Sequence, residues 1–225
     1  QIALLGGQIT NPSPATGGAE RQSIENAVQN APNVFRSLKR AVTSEDYEAL
    51  ALNFKGVGKV RAEAASWNTV NLSVAPEGGG HVSDVLRENL LAYFEDKRML
   101  TTLIEIEDVT YVKIYVTAEV GVKSYYSRAA VNEAVKEAAG SLLAFENVDF
   151  AQTIYLSKFF EALEALAAVE YVNITEFRRE SQNAGYIEPT GKIKLSANEI
   201  ARIPDDPGED PGYAGGINVV LIGGN

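Results

Sequence analysis

Few residues in this 225-residue chain are suited to chemistry. His81 is its only histidine, so a catalytic triad, a two-histidine metal site and a proton relay would all have to be built on it. It follows Pro76-Glu77-Gly78-Gly79-Gly80, and no motif marks a serine or aspartate as its partner. We therefore read it as an exposed loop histidine. The glycine run could offer backbone N–H groups to a phosphate, but it lacks the Lys-Ser/Thr of a P-loop and the G-x-G-x-x-G spacing of a dinucleotide site. It reads as a connection between a strand and a helix. Asp205, Asp206, Glu209 and Asp210 bring four carboxylates into one loop, where a hard cation could bind. Pro207 and Pro211 interrupt them, and no EF-hand spacing is present, so a solvated acidic loop is the reading preferred. Cysteine is absent, which removes disulfides, thiolate nucleophiles and cysteine metal sites together. No catalytic, cofactor or metal-binding residue is assigned, and no enzyme activity is expected.

Tyrosine carries more information. Tyr111 and Tyr115 fall on one face of a strongly alternating stretch, and Tyr125 and Tyr126 follow just after it. Tyrosine buries area while keeping a polar tip, which suits it to protein interfaces. These four residues form the candidate interface, with coverage of that face by the chain's own helix as the alternative.

The composition narrows the class of partner. At 45% hydrophobic and 22% charged, the chain can bury one good core or two small ones. A formal net charge of −10 disfavours nucleic acid and anionic membrane surfaces, whose binding rests on cationic patches. The densest basic cluster, Arg36, Lys39 and Arg40, reads as a solvated helix face. No apolar run reaches the roughly 18 residues of a membrane span, and the start lacks the flank of a signal peptide. The sole methionine is Met99, so we expect the sequence to be a processed product or part of something longer.

Periodicity supplies the elements. Thr43 with Asp46 three residues on is a capping box, and Glu45, Asp46 and Glu48 add negative charge where the helix dipole favours it. A helix is expected over 43–51, then a strand over 59–64, then a hairpin across 66–69 into a strand over 70–74. Ser83 should cap a helix with Leu86, Leu90 and Phe94 on one row, reaching about residue 97. An alternating strand follows over 103–107. Val112, Ile114, Val116, Ala118 and Val120 mark the clearest strand, with Tyr111, Lys113, Tyr115, Thr117 and Glu119 on its other face. Ser127 and Ser157 are expected to cap two further helices, and a strand is expected over 171–177. Residues 192–203 suggest one or two strands broken at Asn198. Residues 217–222 suggest a buried strand, pairing with another chain or with the apolar start.

The stretch from Ser44 to Leu50 reappears from Ser157 to Leu163, with serine, an aromatic residue and Glu-Ala-Leu in register, and Val57 and Val60 then align with Val169 and Val172. The fold class expected is α+β: two small ferredoxin-like α/β sandwich modules sharing this helix–strand repeat, with an extended N-terminal segment and a β-rich C-terminal tail. The divisions are 1–40, an arriving segment with short helices; 41–108, the first module; 109–180, the second module; and 181–225, a C-terminal extension.

Asn11-Pro12-Ser13-Pro14-Ala15-Thr16-Gly17-Gly18-Ala19-Glu20, then Ala31-Pro32 and a basic segment to Arg40, lead into Ala41-Val42-Thr43-Ser44-Glu45-Asp46-Tyr47-Glu48-Ala49-Leu50-Ala51 and the strand Gly56-Val57-Gly58-Lys59-Val60. In this order they resemble the baseplate J-like proteins, wedge components of contractile phage tails and related injection machines. Tyr155-Leu156-Ser157 and the strand over 169–174 are similar to that family's C-terminal region, so the resemblance runs roughly from 10 to 203. The tail from 205 to 225 departs from the pattern.

The resemblance implies a structural subunit of the tail baseplate that pairs with copies of itself and with other wedge proteins around a six-fold assembly. It would rearrange when the sheath contracts. No cofactor is expected, and the resemblance also implies a further N-terminal region in family members. The alternative from a different class is a ferredoxin-like module binding a small ligand between its paired units, which rests on the internal repeat alone.

Overall fold

The computed structural model describes residues 40–204, 210–213 and 215–224. The arriving segment, including its expected short helices and apolar start, lies outside the described residues, as does the acidic loop apart from Asp210.

The first helix, α1 (Ser44–Leu52), begins where the sequence places it. The Asp46 N–H donates to the Thr43 hydroxyl at 3.3 Å, and the Asp46 carboxylate accepts from the Thr43 N–H at 3.0 Å. This reciprocal cap satisfies two backbone donors that a helix start leaves unpaired. After a turn at Gly56, β1 (Val57–Ala64) and β2 (Thr69–Pro76) form an antiparallel hairpin in which Val60 faces Val74 and Ala62 faces Leu72. Ser83 caps α2 (Asp84–Phe94) through its hydroxyl, and the chain returns as β3 (Leu103–Asp108), parallel to β2 with Leu72 opposite Ile106. The three strands lie in the order β1-β2-β3. Tyr47 and Leu50 from α1, Leu72 and Val74 from β2, and Leu90 and Phe94 from α2 pack into one core, with the Tyr47 and Phe94 rings 5.6 Å apart. Full burial of a side chain such as Phe94 contributes about 1.5–3 kcal/mol.

The second core forms on β4 (Thr110–Val122), which follows β3 after Val109 alone. Val112, Ile114, Val116, Ala118 and Val120 are all buried, as their alternation requires. They pack under α3 (Arg128–Leu142), through Val131, Val135 and Ala139, and under α4 (Leu156–Glu164), through Phe159 and Leu163. β6 (Val169–Arg179) runs antiparallel along one side of β4. On its other side, β8 (Glu199–Arg202) pairs with the first residues of β4 and β9 (Asn218–Gly223) with the last, both parallel. β5 (Thr153–Tyr155) and β7 (Lys192–Lys194) make a separate antiparallel pair, and a 3₁₀ turn occupies Pro211–Tyr213.

The α+β class is as expected, but the ferredoxin-like order β-α-β-β-α-β is not the order found. The first sheet has three strands with one parallel pair, because α2 carries the chain back in the direction of β2. In the second, β4 is followed by two helices before its antiparallel neighbour, and its other edge is filled from the C-terminal part of the chain. The strand expected over 217–222 is present as β9, and its partner among the described residues is a strand of this chain. It lies on β4, where Val219 and Leu221 pack against the core while Val220 and Ile222 stay half exposed. α4 starts one residue before Ser157, with Tyr155 at its N-cap and no side-chain cap. Ser127 occupies the N-cap of α3 but makes no capping hydrogen bond there.

The repeated helix–strand unit is present in both modules: α1 into β1, and α4 into β6. Leu50 and Leu163 are both buried at its centre, and Val57 and Val169 at its strand entry. The aromatic partner differs, Tyr47 three residues before the leucine in one and Phe159 four residues before it in the other. Both spacings lie on one helix face.

Candidate functional site

The face of β4 away from the helices carries Tyr111, Lys113, Tyr115, Thr117 and Glu119, all partly buried. β6 places Glu176 opposite Thr117 and Arg178 opposite Tyr115. Glu176 is 4% exposed and Arg178 8%, so an ion pair lies on the outer face of the sheet yet out of water. The Arg178 Nε donates to Glu176 Oε1 at 2.7 Å. Glu176 also accepts from the Thr117 hydroxyl at 2.5 Å, the Tyr213 hydroxyl at 2.6 Å and the Gly185 N–H at 3.0 Å. The Arg178 Nη1 donates to the Gln182 carbonyl at 3.0 Å, and its guanidinium stacks 3.9 Å from the Tyr115 ring centre. Tyr115 donates its hydroxyl to Asp210 at 2.7 Å and meets the Tyr213 ring edge-on at 4.9 Å.

Burial by itself would raise the Glu176 pKa. The hydrogen bonds from Thr117, Tyr213, Arg178 and the Gly185 N–H outweigh it and bring the pKa down to about 2. Tyr115 moves the other way, pushed up to about 12 by burial and then by the Asp210 carboxylate. At neutral pH Glu176 is therefore a fully solvated-by-protein anion and Tyr115 a fixed donor. Neither is poised to exchange a proton near neutrality, which general acid–base catalysis needs. The arrangement is a clamp: it holds the loop after β6 and the 3₁₀ turn before β9 against the sheet. A second tie joins β6 to β8, where Arg179 Nη2 meets Glu199 Oε1 at 2.8 Å.

The four tyrosines singled out from the sequence do not form one patch of the same kind. Tyr115 is engaged in the clamp. Tyr111 donates to the Gly80 carbonyl at 3.2 Å and lies under Arg202, whose guanidinium is 5.6 Å from the ring centre. Tyr125 is 74% exposed, with the Tyr126 ring packed beside it at 5.0 Å. Of the four, only Tyr125 is exposed; Tyr111, Tyr115 and Tyr126 are partly buried.

His81 lies in the exposed loop expected for it, 3.7 Å from Asp108, and lines a cleft of about 410 Å³ with Gly78, Gly79, Tyr111, Phe145 and Arg202. The cleft sits where the two cores adjoin. Phe145 reaches from beyond α3 to the first module; a Cβ at Gly58 would stand 2.9 Å from its ring and 2.8 Å from the Pro76 carbonyl, so only glycine permits this approach. Among the described residues, no group of three or more histidine, aspartate or glutamate side chains is placed to hold a metal ion, and no helix is long and apolar enough to cross a membrane.

Sequence reasoning missed Glu176, Arg178, Asp210 and Tyr213 as one cluster. Two charged residues at i and i+2 in a strand, where only one face is solvated, were a signal. Their partners were not, because Tyr115 and Asp210 are 95 residues apart.

Comparisons with known proteins agree with this fold. Residues 39–107 match the family model described as the Baseplate J-like central domain, a segment ending one residue before the end of β3. The resemblance read from the capped helix and the strand after it is borne out there. No curated protein matches the chain. Among solved structures it is similar to a chain of the "Cryo-EM structure of the anti-feeding prophage (AFP) baseplate, 6-fold symmetrised", with a TM-score of 0.57 and 13% identity. The match covers 83% of this chain and 42% of that one, so this chain spans less than half the length of its structural neighbour.

Proposed function

We propose that this chain is a structural, non-enzymatic part of the baseplate of a contractile tail or injection particle. It occupies the wedge, binds copies of itself and other wedge proteins around a six-fold axis, and changes its contacts when the sheath contracts. The observation that carries the reading is the match of residues 39–107 to the Baseplate J-like central domain. The fold shared with a chain of a six-fold symmetrised prophage baseplate adds support over 83% of the sequence.

The physical design suits the role. Two compact α+β cores, taken here as the two modules over 41–108 and 109–180, are joined through Val109 and the Phe145 contact, and the C-terminal segment is clamped onto the second sheet by Glu176 and Arg178. Such a body transmits force without a reaction to perform. Quantitative mass spectrometry of purified sheathed particles tests the reading. The chain should be present in a copy number that is a multiple of the wedge symmetry, and its absence from intact particles would overturn the proposal.

A further inference from the structure

Beyond the clamp, the outer face of the second sheet ends in a surface that the other described residues leave half open. Tyr171, Gly121 and Ile222 stand in one row across β6, β4 and β9, and Asn173, Glu119 and Val220 in the next. The Tyr171 ring lies over Gly121: a Cβ there would come within 2.2 Å of it. Tyr171 is 42% exposed, Val220 49% and Ile222 44%. Glu119 accepts from the Tyr171 hydroxyl at 3.3 Å, and Glu170 is the extra residue where the β4–β6 register shifts. An exposed aromatic ring between two carboxylates is a receptor for a cationic side chain, through the ring face and the charges together.

The strand edges do not compete for this role. The Arg128 guanidinium takes the Leu221 carbonyl of β9 at 2.6 Å, Arg87 takes the Ile106 carbonyl of β3, and Glu48 takes the Ala62 N–H of β1 at 2.9 Å. These charged side chains reach over from the helices and occupy backbone groups at the strand edges, which opposes the addition of a foreign strand there.

A matching cationic face exists on this same chain. In the β5–β7 pair, Lys192 stands opposite Tyr155 and Lys194 opposite Thr153, so all four share one side. Both lysines are exposed, and neither has an acidic partner within salt-bridge distance among the described residues. In a chain of net charge −10, an unpaired lysine couple beside a half-exposed tyrosine is a defined basic spot on an acidic surface.

Resting on the baseplate reading, we propose that copies of this chain associate head to tail, with Lys192 and Lys194 of one copy seated over Tyr171 between Glu119 and Glu170 of the next. The lysine stems cover Val220 and Ile222 while their ammonium groups reach the carboxylates. Because the two surfaces differ, the contact is heterologous, and repetition closes a ring where the rotation permits.

Sedimentation velocity of the chain, from about 1 to about 300 μM, tests this as a contact at the weak end of the interface range. Concentration-dependent association is expected. Glu170→Lys alone, and Lys192→Glu with Lys194→Glu, should each abolish it, with folding verified by circular dichroism. An equimolar mixture of those two variants should associate again, because each then meets a surface of opposite charge on both sides. Tyr171→Ala should weaken the wild-type contact by about tenfold or more. A monomer over the whole range, or a mixture that stays monomeric, overturns the inference. Either result leaves the particle analysis to judge the baseplate reading separately.

Discussion

Replacing Glu176 with glutamine tests the clamp through its charge. Glu176 is 4% exposed, and its pKa falls from the ordinary 4.5 to about 2 in the folded chain. At about 1.36 kcal/mol per pKa unit, the ionised form contributes on the order of 3 kcal/mol to stability. The sign follows from a depressed folded-state pKa. The contribution is complete above pH of about 4.5, where the carboxyl ionises even in the unfolded chain, and is lost as pH falls toward about 2.

Glu176→Gln removes the charge and leaves the Arg178 guanidinium buried beside a neutral amide, a change of the kind that costs about 3–5 kcal/mol. Urea denaturation followed by far-UV circular dichroism measures it. At pH 7 the variant should lose about 3 kcal/mol relative to wild type, and between pH 5 and pH 3 that difference should shrink as the carboxyl takes up its proton in the unfolded wild-type chain while it stays ionised in the folded one. A loss under about 1 kcal/mol at pH 7, or a difference that does not change with pH, would refute the claim that this anion holds the C-terminal segment.

Three further substitutions probe the framework. Thr43→Ala removes half of the capping box and should lower stability by about 1 kcal/mol in the same denaturation assay. Leu163→Ala, at a fully buried position beneath the second sheet, should cost about 2–5 kcal/mol, and an effect near zero would mean that α4 does not pack as described. Gly121→Ala should displace the Tyr171 ring and destabilise by about 1–3 kcal/mol, and combining it with Tyr171→Ala should recover most of that loss, a non-additivity that identifies the ring as the obstacle.

How much of this molecule could be read from sequence depended on the range of the interactions. The capping box at Thr43, the cap at Ser83, the alternation of β4 and the i, i+4 row of α2 are local, and each produced an element close to its observed bounds. Ser157 misled because a serine near a helix start is a common cap, yet α4 enters directly from β5 and leaves no N-cap position for it. Strand partners were less legible. Nothing in residues 217–222 says that they lie parallel to β4, since parallel partners are chosen by the path of the intervening chain rather than by a turn motif. The clamp was hidden for the same reason: its charges are separated in sequence and brought together by the β4–β6 register. Tyr115, chosen as an interface residue, spends its ring and hydroxyl on Arg178, Tyr213 and Asp210. The exposed tyrosine on that sheet, Tyr171, was not singled out, because its prominence comes from Gly121 fifty residues earlier, which no local pattern links to it.

Cryo-electron microscopy of native contractile particles that carry this chain tests the central claim most directly. The account predicts density for both α+β cores in the baseplate, repeated about the particle axis with the symmetry of the wedge. A reconstruction in which the chain is absent from the baseplate, or lies elsewhere on the particle, would contradict it.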